Sequence, residues 1–292
     1  MNTRVLKQVL VIVIGFALLI AGFLVAGKDR NVAPVVTAPQ KEALTVSRKI
    51  IGKSVEGRNI DAYIYGSGPT HLMFVGGIHG GYEWNSVLLA YKFVDYLKDN
   101  PTVVPGNITV SIIPSANPDG IYSVVKKEGR FTNVDIHNTS LPEGTGRFNA
   151  NNVDLNRNFD CKWKPKSTWK SKIVSAGTRA FSEPETQAIR DFVFDFKPDA
   201  VVFWHSKANA VYASECKFGI LPKTLDIMNA YSLASGYSAV KSFDAYEISG
   251  DAEGWLASIN IPAITVELKT HETVEWERNL AGINAILRYY SF

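Results

Sequence analysis

The sequence predicts an α/β fold: a largely buried sheet with helices on both faces, preceded by one apolar N-terminal helix. Three observations predict it. Apolar runs of strand length, rich in β-branched residues, alternate with stretches of helical periodicity. Strands interleaved with helices favour a sheet covered on both faces. The residues with most chemical potential stand at or just after the ends of those runs, where open α/β sheets place their sites.

Taken in order, Val9 to Ala26 is an uncharged, almost wholly apolar run of 18 residues. As a helix it spans roughly 27 Å, close to the hydrocarbon thickness of a bilayer. Arg4 and Lys7 precede it, which favours a cytoplasmic N-terminus and export of the chain beyond the run. The run exceeds the usual core of a cleaved signal peptide, and FLVAGK (Phe23 to Lys28) is a poor cleavage site. Residues 1–27 are therefore expected to form a membrane anchor, with a cleaved signal and a secreted protein as the alternative. Residues 28–45, with Pro34 and Pro39, read as an extended tether. Residues 46–292 form one domain of adequate size for a single core.

The formal net charge of +3 is carried by residues 1–30, which hold Arg4, Lys7, Lys28 and Arg30 against Asp29. The remainder is balanced, so no nucleic-acid partner is expected. Cys161 and Cys216 are the two cysteines. In an exported domain such a pair favours a disulfide over two buried thiols.

Leu72–Val75, Ile108–Pro114, Ala200–Trp204 and Ala263–Leu268 read as buried strands. Ser86–Leu97 reads as a helix. A second runs from Ser182 to Phe196, with Ser182 as N-cap and Glu185 completing a capping box around Pro184. The last runs from about Thr273 to Tyr290, with Trp276, Leu280, Ile283 and Leu287 on its inward face.

GGIHGGYEWN comes directly after the Leu72–Val75 strand, so His79 and Glu83 emerge where a helix is expected to start. His205 ends the run VVFW. Two ligands close in sequence and a third from a distant strand make a common catalytic zinc site, which leaves a position for water. His71, His137 and His271 lack a matching motif and read as surface or loop residues.

GRFNANNVDLNRNFD, NPDG at Asn117–Gly120, the histidine of FWHS and TVEL near the C-terminus together resemble the zinc carboxypeptidase family of the pancreatic and regulatory carboxypeptidases. The resemblance begins at GKSVEGRNI (Gly52–Ile60) and includes SEPET (Ser182–Thr186). It implies a mixed, mostly eight-stranded sheet and one zinc ion held by His79, Glu83 and His205. It also implies that Asn156 and Arg157 bind the C-terminal carboxylate of a peptide substrate. Arg147 would polarise the scissile carbonyl, Glu267 would serve as general base and acid, and Tyr246 would close over the substrate.

Three features depart from the family pattern. Three residues intervene between His79 and Glu83 instead of the usual two, Lys207 comes after His-Ser in place of an aromatic, and GDAEGW carries Asp251 and Glu253 in the specificity segment. Either acid could select a cationic side chain, such as lysine, arginine or the free amino group of diaminopimelate; the alternative is that both are solvated loop acids. The expectation is a monomeric, membrane-tethered carboxypeptidase outside the cytoplasm, acting on peptides that include cell-wall stem peptides. Its rivals are a zinc amidohydrolase or deacylase on the same scaffold and a catalytically inactive peptide-binding module.

Overall fold

Side chains alternate across each central strand, and this alternation builds two cores from one sheet. The computed structural model describes residues 46–136 and 141–292. The expected anchor (1–27), the tether (28–45) and His137 lie outside the described residues. Among the described residues no helix is long and apolar enough to cross a membrane.

The strands are β1 (Val46–Lys53), β2 (Asn59–Tyr65), β3 (Thr70–Val75), β4 (Ile108–Ile113), β5 (Lys166–Trp169), β6 (Lys172–Ser175), β7 (Ala200–Ser206), β8 (Ala210–Ala213), β9 (Glu215–Cys216), β10 (Gly219–Ile220), β11 (Ser238–Val240) and β12 (Ala263–Leu268). The α-helices are α1 (Trp84–Asp99), α2 (Pro118–Val125), α3 (Pro184–Phe196), α4 (Pro222–Ser235), α5 (Ala252–Ser258) and α6 (Trp276–Tyr289). Eight strands form the main sheet in the order β1-β2-β4-β3-β7-β12-β8-β11. The central run β4, β3, β7, β12 is parallel, while β1, β2 and β8 introduce antiparallel pairings, so the sheet is mixed as expected. The remaining strands make the hairpins β5–β6 and β9–β10.

Leu72, Phe74, Val202, Trp204 and Val266 point to a core shared with α1, α4 and α6. Met73, Val75, Val201, Phe203 and Ala263 point the other way, to Ile189 and Phe192 of α3 and Trp255 and Leu256 of α5. Helices thus cover both faces. His205 continues the 201–203 alternation and therefore faces the α5 side.

Several element boundaries differ from the sequence reading. The predicted helix at Ser182 starts at Pro184, with Glu183 as an N-cap that makes no side-chain hydrogen bond. Ser182 donates instead to the Glu183 carboxylate at 2.7 Å, and Asn158 accepts from the Glu183 amide at 3.1 Å, so tertiary partners displace the local capping box. The C-terminal helix begins at Trp276, where Glu275 has φ +44°, and Leu280 on its inward stripe is only partly buried. β7 extends past Trp204 to include His205. His71 lies within β3, its ring stacked on Phe196 with centroids 4.6 Å apart.

Candidate active site

The chain leaves β3 and turns at once through the 3₁₀ segment Gly80–Glu83 before α1 begins. Gly80 has φ +47°, and a Cβ there would lie 2.5 Å from the Gly146 carbonyl oxygen. Only glycine meets both conditions. This tight turn accommodates the additional residue between His79 and Glu83. His79, Glu83 and His205 each offer a ligand atom, and these atoms lie within 4.8 Å of one another. All three residues are buried.

β7 and β12 run side by side in parallel, with His205 registered against Glu267. Both side chains therefore emerge on one face. A cavity of about 580 Å³ opens there, lined by the three candidate ligands, Glu267, Arg147, Asn156, Arg157 and Tyr246. Every sequence-predicted site residue lines it, Glu253 and Asp251 included.

Asp154 is a buried hub behind the cavity lining, and sequence reasoning does not identify it. Its Oδ2 accepts from Arg147 Nε at 3.0 Å and pairs with Nη2 at 2.9 Å. Its Oδ1 accepts from the Asn156 amide at 3.2 Å and lies 3.5 Å from His79 Nδ1. The Arg147 guanidinium also stacks 4.5 Å from the Trp169 ring centroid. Its orientation is thereby fixed before any substrate arrives. Asp154 stands two residues before Asn156 in VDLNRNFD, so a carboxylate beside a charged motif was the available signal.

Arg157 donates from Nε to the Thr168 carbonyl at 3.1 Å. Asn156 accepts from the Ala252 amide at 2.8 Å, which locks the NRN segment to the start of α5. Gly250 makes that approach feasible: it has φ +73°, and a Cβ would lie 2.1 Å from the Arg157 carbonyl oxygen. The disulfide Cys161–Cys216 ties the same segment to β9. Tyr246 is half-buried and packs edge-on against Phe243 with centroids 4.8 Å apart.

His271 is a second residue the sequence did not reveal. It is half-buried in the cavity wall, its Nδ1 is 2.7 Å from Ser206 Oγ, and its ring leans on Tyr82. It has no nearby motif, and only the tertiary fold brings it to Ser206.

The electrostatics arise from burial among opposed charges. Burial, with Arg147 and His205 nearby, holds the His79 pKa well below the ordinary range and keeps it neutral. Burial opposes charge on His205 as well, but Glu83 and Glu253, one at each ring nitrogen, raise its pKa well above the ordinary range. Burial and the Glu83 charge push the Glu267 carboxyl up to about 8. Burial and Glu253 push Asp251 up to about 6.

These residues fit a zinc ion. His79 Nδ1 and Glu267 Oε2 are buried without a hydrogen-bond partner among the described residues, which is costly unless something else meets them. Two imidazoles and one carboxylate are also a donor set of catalytic zinc sites.

A family model for zinc carboxypeptidases matches residues 38–281. The chain belongs to that family. It is 25% identical over 240 residues to the gamma-D-glutamyl-L-diamino acid endopeptidase 1 of Lysinibacillus sphaericus, across 75% of this chain and 59% of that protein. It is 31% identical over 155 residues to carboxypeptidase M of Mus musculus, across 49% of this chain and 30% of that protein. The chain thus spans less than two thirds of the length of either relative. Among solved structures, the murein-tripeptide amidase of Escherichia coli O157 shares the fold, with a TM-score of 0.58 at 21% identity over 86% of this chain and 94% of that one.

Proposed function

We propose that the chain is a zinc-dependent carboxypeptidase that removes C-terminal residues from peptides, with cell-wall stem peptides as its substrate class. One observation carries this reading: the His79–Glu83–His205 cluster shares a single cavity with Glu267, Arg147 and the Asn156–Arg157 pair. His79, Glu83 and His205 would hold one zinc ion. Such an ion supplies Lewis acidity to the scissile carbonyl and makes water a competent nucleophile near neutral pH.

The protein groups do the rest. Arg157 and Asn156 take the substrate's terminal carboxylate, a group well matched to the guanidinium fork. Arg147, held by Asp154, places positive charge where the carbonyl oxygen becomes negative. Glu267 accepts the proton of the attacking water and returns it to the leaving amine. Tyr246 closes over the departing residue. Asp251, in the same cavity, suits a cationic group on that residue, such as the second amine of a diamino acid. Two relatives support the cell-wall assignment by name: the L. sphaericus endopeptidase, called after gamma-D-glutamyl-L-diamino acid bonds, and the E. coli murein-tripeptide amidase.

The run Val9–Ala26 would anchor the chain, with the catalytic domain outside the cytoplasm. The Cys161–Cys216 disulfide supports that placement, because such bonds persist in oxidising compartments.

The test is Glu267→Gln in the purified full-length chain. Peptide turnover should fall by about 10²–10⁴-fold, the usual contribution of a general base, while bound zinc stays at one per chain. Activity that survives the substitution would remove Glu267 from this role.

A further inference from the structure

Glu253 lines the cavity, but one oxygen of its carboxylate is already engaged. Oε1 lies 3.1 Å from His205 Nε2 and accepts from Thr265 Oγ1 at 2.9 Å. At the other side of the same ring, His205 Nδ1 faces Glu83 Oε2 at 3.1 Å. The imidazole therefore has a carboxylate at each nitrogen, and only Glu83 belongs to the ligand cluster.

We propose that Glu253 is a positioning residue for the metal site, not a specificity acid. It takes the Nε2–H of His205 and so fixes the tautomer whose Nδ1 lone pair points toward the cluster. The proposal rests on the reading of His205 as a zinc ligand. A carboxylate behind a ligating histidine orients the ring and raises its basicity.

The surroundings suit this task. Thr265 on β12 is registered against Phe203 on β7, two residues before His205, so the hydroxyl that holds Glu253 and the imidazole lie on one face. The first turn of α5 is fixed twice. Asp251 Oδ2 accepts from the Gly254 amide at 2.7 Å, and the Ala252 amide donates to Asn156. Glu253 itself is only 3% exposed. A substrate cation would have to displace His205 to reach Oε1, whereas Asp251 lines the cavity with its side chain spent only on capping α5. The two acids of GDAEGW therefore divide the work, Glu253 toward the histidine and Asp251 toward the departing residue.

The experiment measures zinc affinity by chelator competition on the full-length chain, for wild type, Glu253→Gln, Glu253→Ala and His205→Ala. Glu253→Gln keeps the shape, and its amide oxygen can accept both hydrogen bonds that Oε1 takes, so with only the charge lost it should weaken zinc binding about tenfold. Glu253→Ala should approach a hundredfold, the upper end for such partners. The visible spectrum of the cobalt-loaded protein should shift in both, and the metal-free Gln variant should still melt in a cooperative transition. The ratio of kcat/KM for C-terminal lysine over leucine should not move. Unchanged zinc affinity and cobalt spectrum, with a loss of lysine preference, would overturn the proposal and make Glu253 a specificity acid. If wild type binds no zinc, or His205→Ala binds it equally well, the reading of the site falls and the proposal falls with it. Should Glu253→Ala fail to fold, the isosteric Gln variant carries the test.

Discussion

Glu267 combines burial, a nearby carboxylate and an unpartnered oxygen, and each makes its charge costly in the metal-free chain. Its pKa stands at about 8 against an ordinary 4.5. The folded chain therefore keeps a proton that the unfolded chain releases. This contribution to stability is full below about 4.5 and is lost as pH rises toward about 8. Glu267→Gln has no such proton. In zinc-stripped protein, the melting temperature of wild type relative to Glu267→Gln should therefore fall between pH 5 and pH 8; a pH-independent difference would contradict this. Arg157 offers a second prediction at this scale. Arg157→Ala should raise KM for free-acid peptides roughly 10- to 100-fold, as expected for a charge-assisted hydrogen bond, while zinc affinity holds. The His79–Glu83–His205 cluster and the Asn156–Arg157 pair were legible in the sequence as candidates because their chemistry and order form a recognisable set. Asp154 and His271 were not, since their roles depend on partners reached only in three dimensions.

At the scale of elements, the turn between β3 and α1 decides whether Glu83 reaches the cluster. Gly80→Ala forces a side chain into a left-handed conformation and against the Gly146 carbonyl. It should destabilise the chain by at least about 1 kcal/mol, a fall of about 2–4 °C for a domain of this size, and weaken zinc binding. Normal melting with normal affinity would show that the turn tolerates a side chain. The central strands were readable because they are buried on both faces, and the Ala263–Leu268 strand was predicted to the residue. The edge strand β1 was not, since VSRKIIGK is mostly exposed and lacks a clean alternation. The helix at Pro184 was misread at its start because Ser182 and Glu183 are claimed by Asn158 and one another.

For the whole molecule, the disulfide links residues 55 apart in sequence and pins the NRN segment beside β9. Replacing Cys161 and Cys216 with serine should cost about 2–5 kcal/mol, measured by denaturant unfolding of the oxidised and variant chains. An unchanged midpoint would mean that the packing alone holds that wall. The sheet order places His79, Glu83, His205, Glu267, Asn156 and Arg157 around one cavity, and the proposed exopeptidase action rests on this convergence. The most direct test gives zinc-loaded full-length chain matched peptides, stem peptides among them, as free acids and as C-terminal amides, with and without chelator. Single C-terminal residues should be released from the free acids alone, and chelator should stop it. Equal cleavage of the amides, or release at internal bonds, would contradict a site organised around the terminal carboxylate.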